Sequence, residues 1–119
     1  DHVVFIFPLW CGDMPALMKG FIERVLQSDL LKAQKDGGSE SWKFLKGKSA
    51  RVIMTMGMPG WFYRWYYGAH ALKLLKRNIL HFIGISPVRS TVYGMIEAVS
   101  DGKRKQWLRE AEALGHQAR

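Results

Sequence analysis

At 119 residues the chain has room for one domain with its own core, and 48% hydrophobic with 24% charged residues is the make-up of an ordinary globular protein, which sets disorder aside. No apolar run approaches the roughly 18 residues of a membrane span, and a single cysteine excludes an internal disulfide, so a reducing, cytoplasmic setting is expected. The net charge of +8 suits phosphorylated ligands, nucleic acid or acidic lipid without choosing among them, and it describes a basic solvated surface equally well, because the lysines are spread along the chain.

The N-terminus opens directly on a strand-like run, with no basic n-region or apolar h-region, so no signal peptide is expected. Val3 to Phe7 is an uninterrupted β-branched and aromatic run, the pattern of a strand buried on both faces of a parallel sheet, and Pro8 stops it. From Pro15 on, Leu17, Met18, Phe21, Ile22, Val25 and Leu26 fall on one stripe of a helix, with Lys19, Glu23 and Arg24 off it. Asp13 sets a carboxylate beside the helix start, and Pro15 suits a first turn. Ser28 to Lys48, centred on Gly37-Gly38-Ser39, reads as a connecting loop with room for a short turn of helix. At about 20 residues such a loop is long enough to suggest a lid or an interface segment. Ala50 to Met56 is the second strand, followed by the turn Gly57-Met58-Pro59-Gly60. Trp61 to Tyr67 is a dense aromatic cluster, either a contact surface between subunits or a satellite of the core. A helix pattern returns over Ala69 to Ile83 and is closed by Gly84. Val88 to Met95 reads as a third strand, and Ser100 or Asp101 caps a last amphipathic helix carrying Trp107, Leu108, Ala111 and Leu114 on one face.

The order is β-α-β-α-β-α, which predicts a parallel sheet in a single α/β domain over 1–119. The loops Pro8 to Met14 and Thr55 to Pro59 then come after consecutive strands and lie side by side at the carboxyl edge, where open α/β sheets bind ligands. Both combine backbone amides with flat or sulfur-rich side chains, Trp10 and Cys11 in one, Met56 and Met58 in the other. That surface suits a planar, polar-edged ring. On residue type alone, Trp10 and the methionines serve equally as core.

Phe7-Pro-Leu-Trp-Cys-Gly-Asp-Met-Pro-Ala-Leu-Met-Lys-Gly-Phe-Ile-Glu-Arg-Val25, Thr55-Met-Gly-Met-Pro59, the aromatic stretch Tyr63 to His70 and Arg77-Asn-Ile-Leu-His-Phe-Ile-Gly84 together resemble the NAD(P)H:quinone oxidoreductases of the flavodoxin-like fold. That family also holds the cytoplasmic ancillary proteins of potassium efflux systems, and the match runs from residue 3 to about residue 90. The resemblance implies a three-layer α/β/α fold, FMN or FAD as cofactor, NADH or NADPH as hydride donor, a small quinone-like acceptor and a homodimer. It places Pro8, Leu9, Trp10 and Cys11 along the flavin ring and Thr55, Met56, Gly57 and Met58 at its polar edge. It also points to Tyr63 and His70 as the flanking catalytic pair, a phenol that donates to developing negative charge and an imidazole that exchanges a proton near neutral pH. Tyr66 and Tyr67 are rivals for the tyrosine role.

Three departures from the family pattern stand out. Cys11 occupies a position where an aromatic residue is usual, and Gly60 with Trp61 replaces a more polar segment. The family's first strand, phosphate-binding loop and second strand would precede Asp1, so the chain reads as the C-terminal part of the fold, with its first strand left as an apolar edge. Two non-enzymatic readings remain: a flavodoxin-shaped docking protein, and a nucleic-acid binder using Trp61, Arg64, Trp65, Tyr66 and Tyr67 beside Lys73, Lys76 and Arg77. No known nucleic-acid-binding fold accounts for the β-α-β order, so nucleic acid is not the expected partner. His2, His70, His81, His116 and Cys11 have no metal-ligand spacing, and no metal is expected. Cys11 as a nucleophile has no evident partnering base.

Overall fold

The computed structural model describes residues 1–38 and 41–118. Strand β1 spans His2–Pro8, β2 Ser49–Thr55 and β3 Val88–Tyr93. They pair in parallel in the order β1-β2-β3, with Phe5 opposite Val52 and Met54 opposite Val92. Alternation then decides what each face carries. Phe7, Ala50, Val52, Met54 and Val88 enter the main core, with Val3, Phe5 and Val92 packed against it. On the opposite face Val4 and Ile6 of the edge strand are 45% and 67% exposed, the apolar edge the sequence leads one to expect.

Helix α1, Ala16–Asp36, covers the core face through Ile22, Leu26 and Leu30. It runs ten residues beyond the predicted Leu26, so the stretch from Ser28 to Asp36, which composition presents as loop, is helix. The reason is that the apolar stripe continues: Leu30 packs on the core and Ala33 is buried, and only Gly37, in the left-handed region at φ 64, breaks the turn. Ser39 and Glu40 of the predicted loop lie outside the described residues. From Ser41 to Lys48 the chain makes short turns tied back to the core, Leu45 N–H donating to Ile83 O at 3.0 Å and Trp42 stacking on Phe82 with centroids 6.2 Å apart.

The aromatic run is itself helical as α2, Gly60–Trp65. The single helix predicted over 69–83 divides into α3, His70–Lys73, and a π-helical segment, Leu74–Leu80. The wider turn lets two residues five apart, Leu75 and Leu80, both reach the core, which a regular α-helix would not allow. Gly84 ends this segment at φ 98, and a Cβ there would sit 3.0 Å from Lys43 O and Lys46 N, so glycine is required twice over. Helix α4, Asp101–His116, is capped by Ser100, whose Oγ accepts from Lys103 N. It lies over the other face of the sheet, Trp107 against Tyr93 at 4.8 Å, above an apolar cavity of about 360 Å³ lined by Ile6, Ile53, Tyr93 and Leu108. Among the described residues no helix is long and apolar enough to cross a membrane.

Two substitutions separate core packing from helix propensity. Leu75→Ala, at a fully buried position, should lower the unfolding free energy by roughly 2–5 kcal/mol. Gly20→Ala, in the middle of α1 with open space where the Cβ would go, should raise it by roughly 0.5–1 kcal/mol. Urea denaturation of both variants checks the pair.

Candidate functional site

Because the strands are parallel, their carboxyl ends share one edge, and the backbone keeps pairing beyond them. Leu9 N–H donates to Thr55 O at 2.8 Å and Met56 N–H to Tyr93 O at 2.9 Å. The loops after β1 and β2 are therefore held side by side, as the sequence predicts. Trp10 and Asp13 exchange two backbone hydrogen bonds of 2.9 Å across Cys11 and Gly12, both at positive φ (51 and 79), a tight turn of the kind that closes β-hairpins. The Asp13 carboxylate accepts from Met14 N at 2.7 Å, just ahead of α1, whose N-cap is Pro15. This turn leaves the Trp10 side chain 63% exposed, while Met14 is buried as its anchor. Met56 is likewise buried and Met58 packs against the core, so the sulfur-rich side chains of the second loop face inward. Among the described residues, the N–H groups of Cys11, Gly12, Gly57 and Met58 are given no acceptor by the fold. Four donors beside an exposed indole form a surface that can bond the carbonyls and ring nitrogens of a planar ligand. Pro8 and Thr55, the last residues of their strands, lie paired beneath it.

The aromatic segment begins from the same loop, Tyr63 N–H donating to Pro59 O at 3.1 Å. Tyr63 is fully buried, and its hydroxyl oxygen accepts from Leu72 N at 3.3 Å. It thereby satisfies a first-turn donor of α3 that has no helical partner. Burial raises the Tyr63 pKa above its ordinary value of 10.0; the backbone N–H groups of Leu72 and Ala71 pull it down, and the Asp13 carboxylate pushes it up again. His70 is exposed at the start of α3, and its ring lies over Gly68. Thus Tyr63 and His70 come from one turn of chain, but the phenol oxygen takes its hydrogen bond from Leu72 and not from the imidazole. Tyr66 and Tyr67 are exposed, Tyr66 stacked on Phe62 at 5.2 Å and Tyr67 on Tyr63 at 6.4 Å.

One group of residues escapes the sequence reading. Strand β3 ends at Tyr93, two residues before the predicted Met95, and Gly94, Met95 and Ile96 turn back along the second loop. The signal was the Tyr93-Gly94 pair, which marks a strand end, but contact with residues 56–60 is a tertiary fact.

The sequence profile of the flavodoxin-like fold matches residues 1–115. The chain belongs to that family. Among curated flavodoxin-like relatives, an uncharacterized NAD(P)H oxidoreductase of Haemophilus influenzae is 29% identical over 106 residues, covering 88% of this chain and 52% of that protein. The mouse ribosyldihydronicotinamide dehydrogenase [quinone] is 30% identical over 117 residues, 91% of this chain and 48% of the mouse enzyme. Among solved structures, Smu.1420 of Streptococcus mutans superposes with a TM-score of 0.71 at 34% identity, over 92% of this chain and 56% of its own. A proposed quinone reductase of Klebsiella pneumoniae gives a TM-score of 0.68 at 25% identity, over 98% and 48%. This flavodoxin-like chain thus spans about half the length of these relatives.

The Tyr63 environment has a measurable pH signature. As pH rises past 10.0 the unfolded chain loses this proton before the folded one does. The stabilisation is therefore whole below pH 10 and is lost as pH climbs through the folded-state value. Tyr93, also raised by burial, contributes in the same sense. Tyr63→Phe should lower stability at pH 7 by roughly 1–3 kcal/mol, since Leu72 N loses its acceptor, and should flatten the alkaline fall to the part owed to Tyr93. Denaturation midpoints between pH 7 and 11 test both effects.

Proposed function

We propose that the protein carrying this chain is a flavin-dependent NAD(P)H:quinone-type oxidoreductase and that the two adjoining loops hold the flavin ring. The observation that carries this reading is the set of N–H groups at Cys11, Gly12, Gly57 and Met58 left without an acceptor in two adjoining loops, one of which carries the exposed Trp10. These donors fit the carbonyl and nitrogen edge of an isoalloxazine, and the indole fits its face. The names of the relatives point to the same chemistry. FMN or FAD held there would supply two-electron hydride chemistry between NADH or NADPH and a small quinone-like acceptor.

The chain's own residues bind, orient and exchange protons. Pro8, Leu9, Trp10 and Cys11 would hold one side of the ring, and Thr55, Met56, Gly57 and Met58 of the second loop would hold its edge. Backbone donors held by a fixed turn stabilise negative charge without reorganising. His70, exposed at the head of α3, is the proton-exchanging group. Tyr63 keeps its proton at neutral pH and holds the start of α3 through Leu72. Its stacking partner Tyr67 offers the exposed phenol of the pair. Trp61, Trp65 and Tyr66, at 69%, 76% and 67% exposure, form an apolar face through which two copies associate. A cytoplasmic location suits a lone exposed thiol at Cys11.

The purified protein should show a visible flavin absorption band that NADPH bleaches and a quinone restores. Trp10→Ala should weaken flavin binding about tenfold, the equivalent of losing roughly 1.4 kcal/mol of ring contact. A colourless protein that takes up neither FMN nor FAD would contradict the reading.

A further inference from the structure

The second loop does not hold its own shape. Its hydrogen bonds run to the segment after β3: Met56 N–H donates to Tyr93 O at 2.9 Å, Ile96 N–H to Met56 O at 3.2 Å, and Met95 N–H to Met58 O at 3.1 Å. Residues 93–96 are thus zipped to residues 56–58 by three bonds that run in both directions between the two segments. Gly94 sits in the middle of this zipper, pressed against the next stretch of loop. A Cβ at position 94 would fall 2.6 Å from Gly60 N, 2.8 Å from Met58 O and 3.3 Å from Pro59 C. All three are backbone atoms, so no side chain can rotate away, and the loop itself must move to admit one more carbon.

From this we infer that Gly94 is a positioning residue for the ligand site. It lets the 93–96 segment close on the second loop, which engages the carbonyls of Met56 and Met58 and leaves the N–H groups of Gly57 and Met58 without an acceptor in the fold. The inference rests on the flavin reading of the two loops, but its structural half stands without it. Met95, held at φ 58, completes the turn that carries the brace past Gly94 to Ile96.

The test is Gly94→Ala, with Gly20→Ala as a control in open space. Flavin affinity is measured by titration with FMN and with FAD, and native-state amide hydrogen exchange is followed at Met56, Met95 and Ile96, whose N–H groups make the three bonds. The expected result is binding at least tenfold weaker, with amide exchange at Met56, Met95 and Ile96, the three donors of the zipper, at least tenfold faster, a cooperative melting transition retained, and Gly20→Ala binding flavin like the unaltered protein. Unchanged affinity and unchanged exchange overturn the proposal. Should Gly94→Ala fail to fold, the unaltered protein decides: adding FMN should slow exchange at Met95 and Ile96 together with Gly57 and Met58, and slowing confined to 57 and 58 overturns the brace. If the unaltered protein binds no flavin, the functional reading fails. Amide exchange at Met56, Met95 and Ile96 in Gly94→Ala, or in its absence the correlated opening of the same three amides in the unaltered protein, then still confirms or rejects the brace.

Discussion

Parallel pairing continued past the ends of the strands is the constraint on which the rest depends. In an antiparallel sheet the segments leaving β1 and β2 would depart from opposite edges. Here Leu9 is bonded to Thr55 and Met56 to Tyr93, so three successive chain exits meet at one edge. The crossover helices make that arrangement possible, because α1 and the segment from α2 to Leu80 bury the face carrying Ala50, Val52 and Met54. The same pattern that drives the core therefore also concentrates irregular backbone in one place, and irregular backbone is where unpaired N–H groups can face outward without cost to the core.

Each loop is anchored by a side chain that points the other way. Met14 and Met56 are buried, and Met58 packs on the core, so the residues alternate between holding the loop down and presenting its backbone. The tight turn at Cys11-Gly12 fixes the first loop, and the 93–96 segment fixes the second. Tyr63 ties this edge to the helices beneath it, its backbone N–H on Pro59 and its hydroxyl on Leu72. On the proposed reading such a site would meet a ligand's polar edge by main chain, with the exposed Trp10, Trp61, Trp65, Tyr66 and Tyr67 offering side-chain contacts.

The strands were legible because a buried parallel strand needs consecutive β-branched and aromatic residues, and Val3 to Phe7 and Ala50 to Met56 supply them. The loop pair was legible for the same reason, since its placement is a consequence of strand order. The extent of α1 was not: Ser28, Asp29, Lys32 and Lys35 resemble a solvated connector, and only the packing of Leu30 and Ala33 reveals the helix. The π-helical turn was hidden because Leu72, Leu75, Ile79 and Ile83 alone satisfy an ordinary helical stripe, and only the burial of Leu80 beside Leu75 reveals the wider turn. Tyr63 could be named from the family pattern, but its burial and its bond to Leu72 depend on how α2 and α3 fold together. Gly94 carried no local sign of its role, which lies in contacts with residues more than thirty positions away in the chain.

The most direct test of the central claim is a backbone amide NMR titration of the protein with FMN and FAD. The account expects the largest shifts at Cys11, Gly12, Gly57 and Met58, together with the Trp10 indole, and little change along the exposed Leu17, Phe21 and Val25 face of α1. Flavin binding that shifts resonances elsewhere and leaves those four amides unmoved would contradict it.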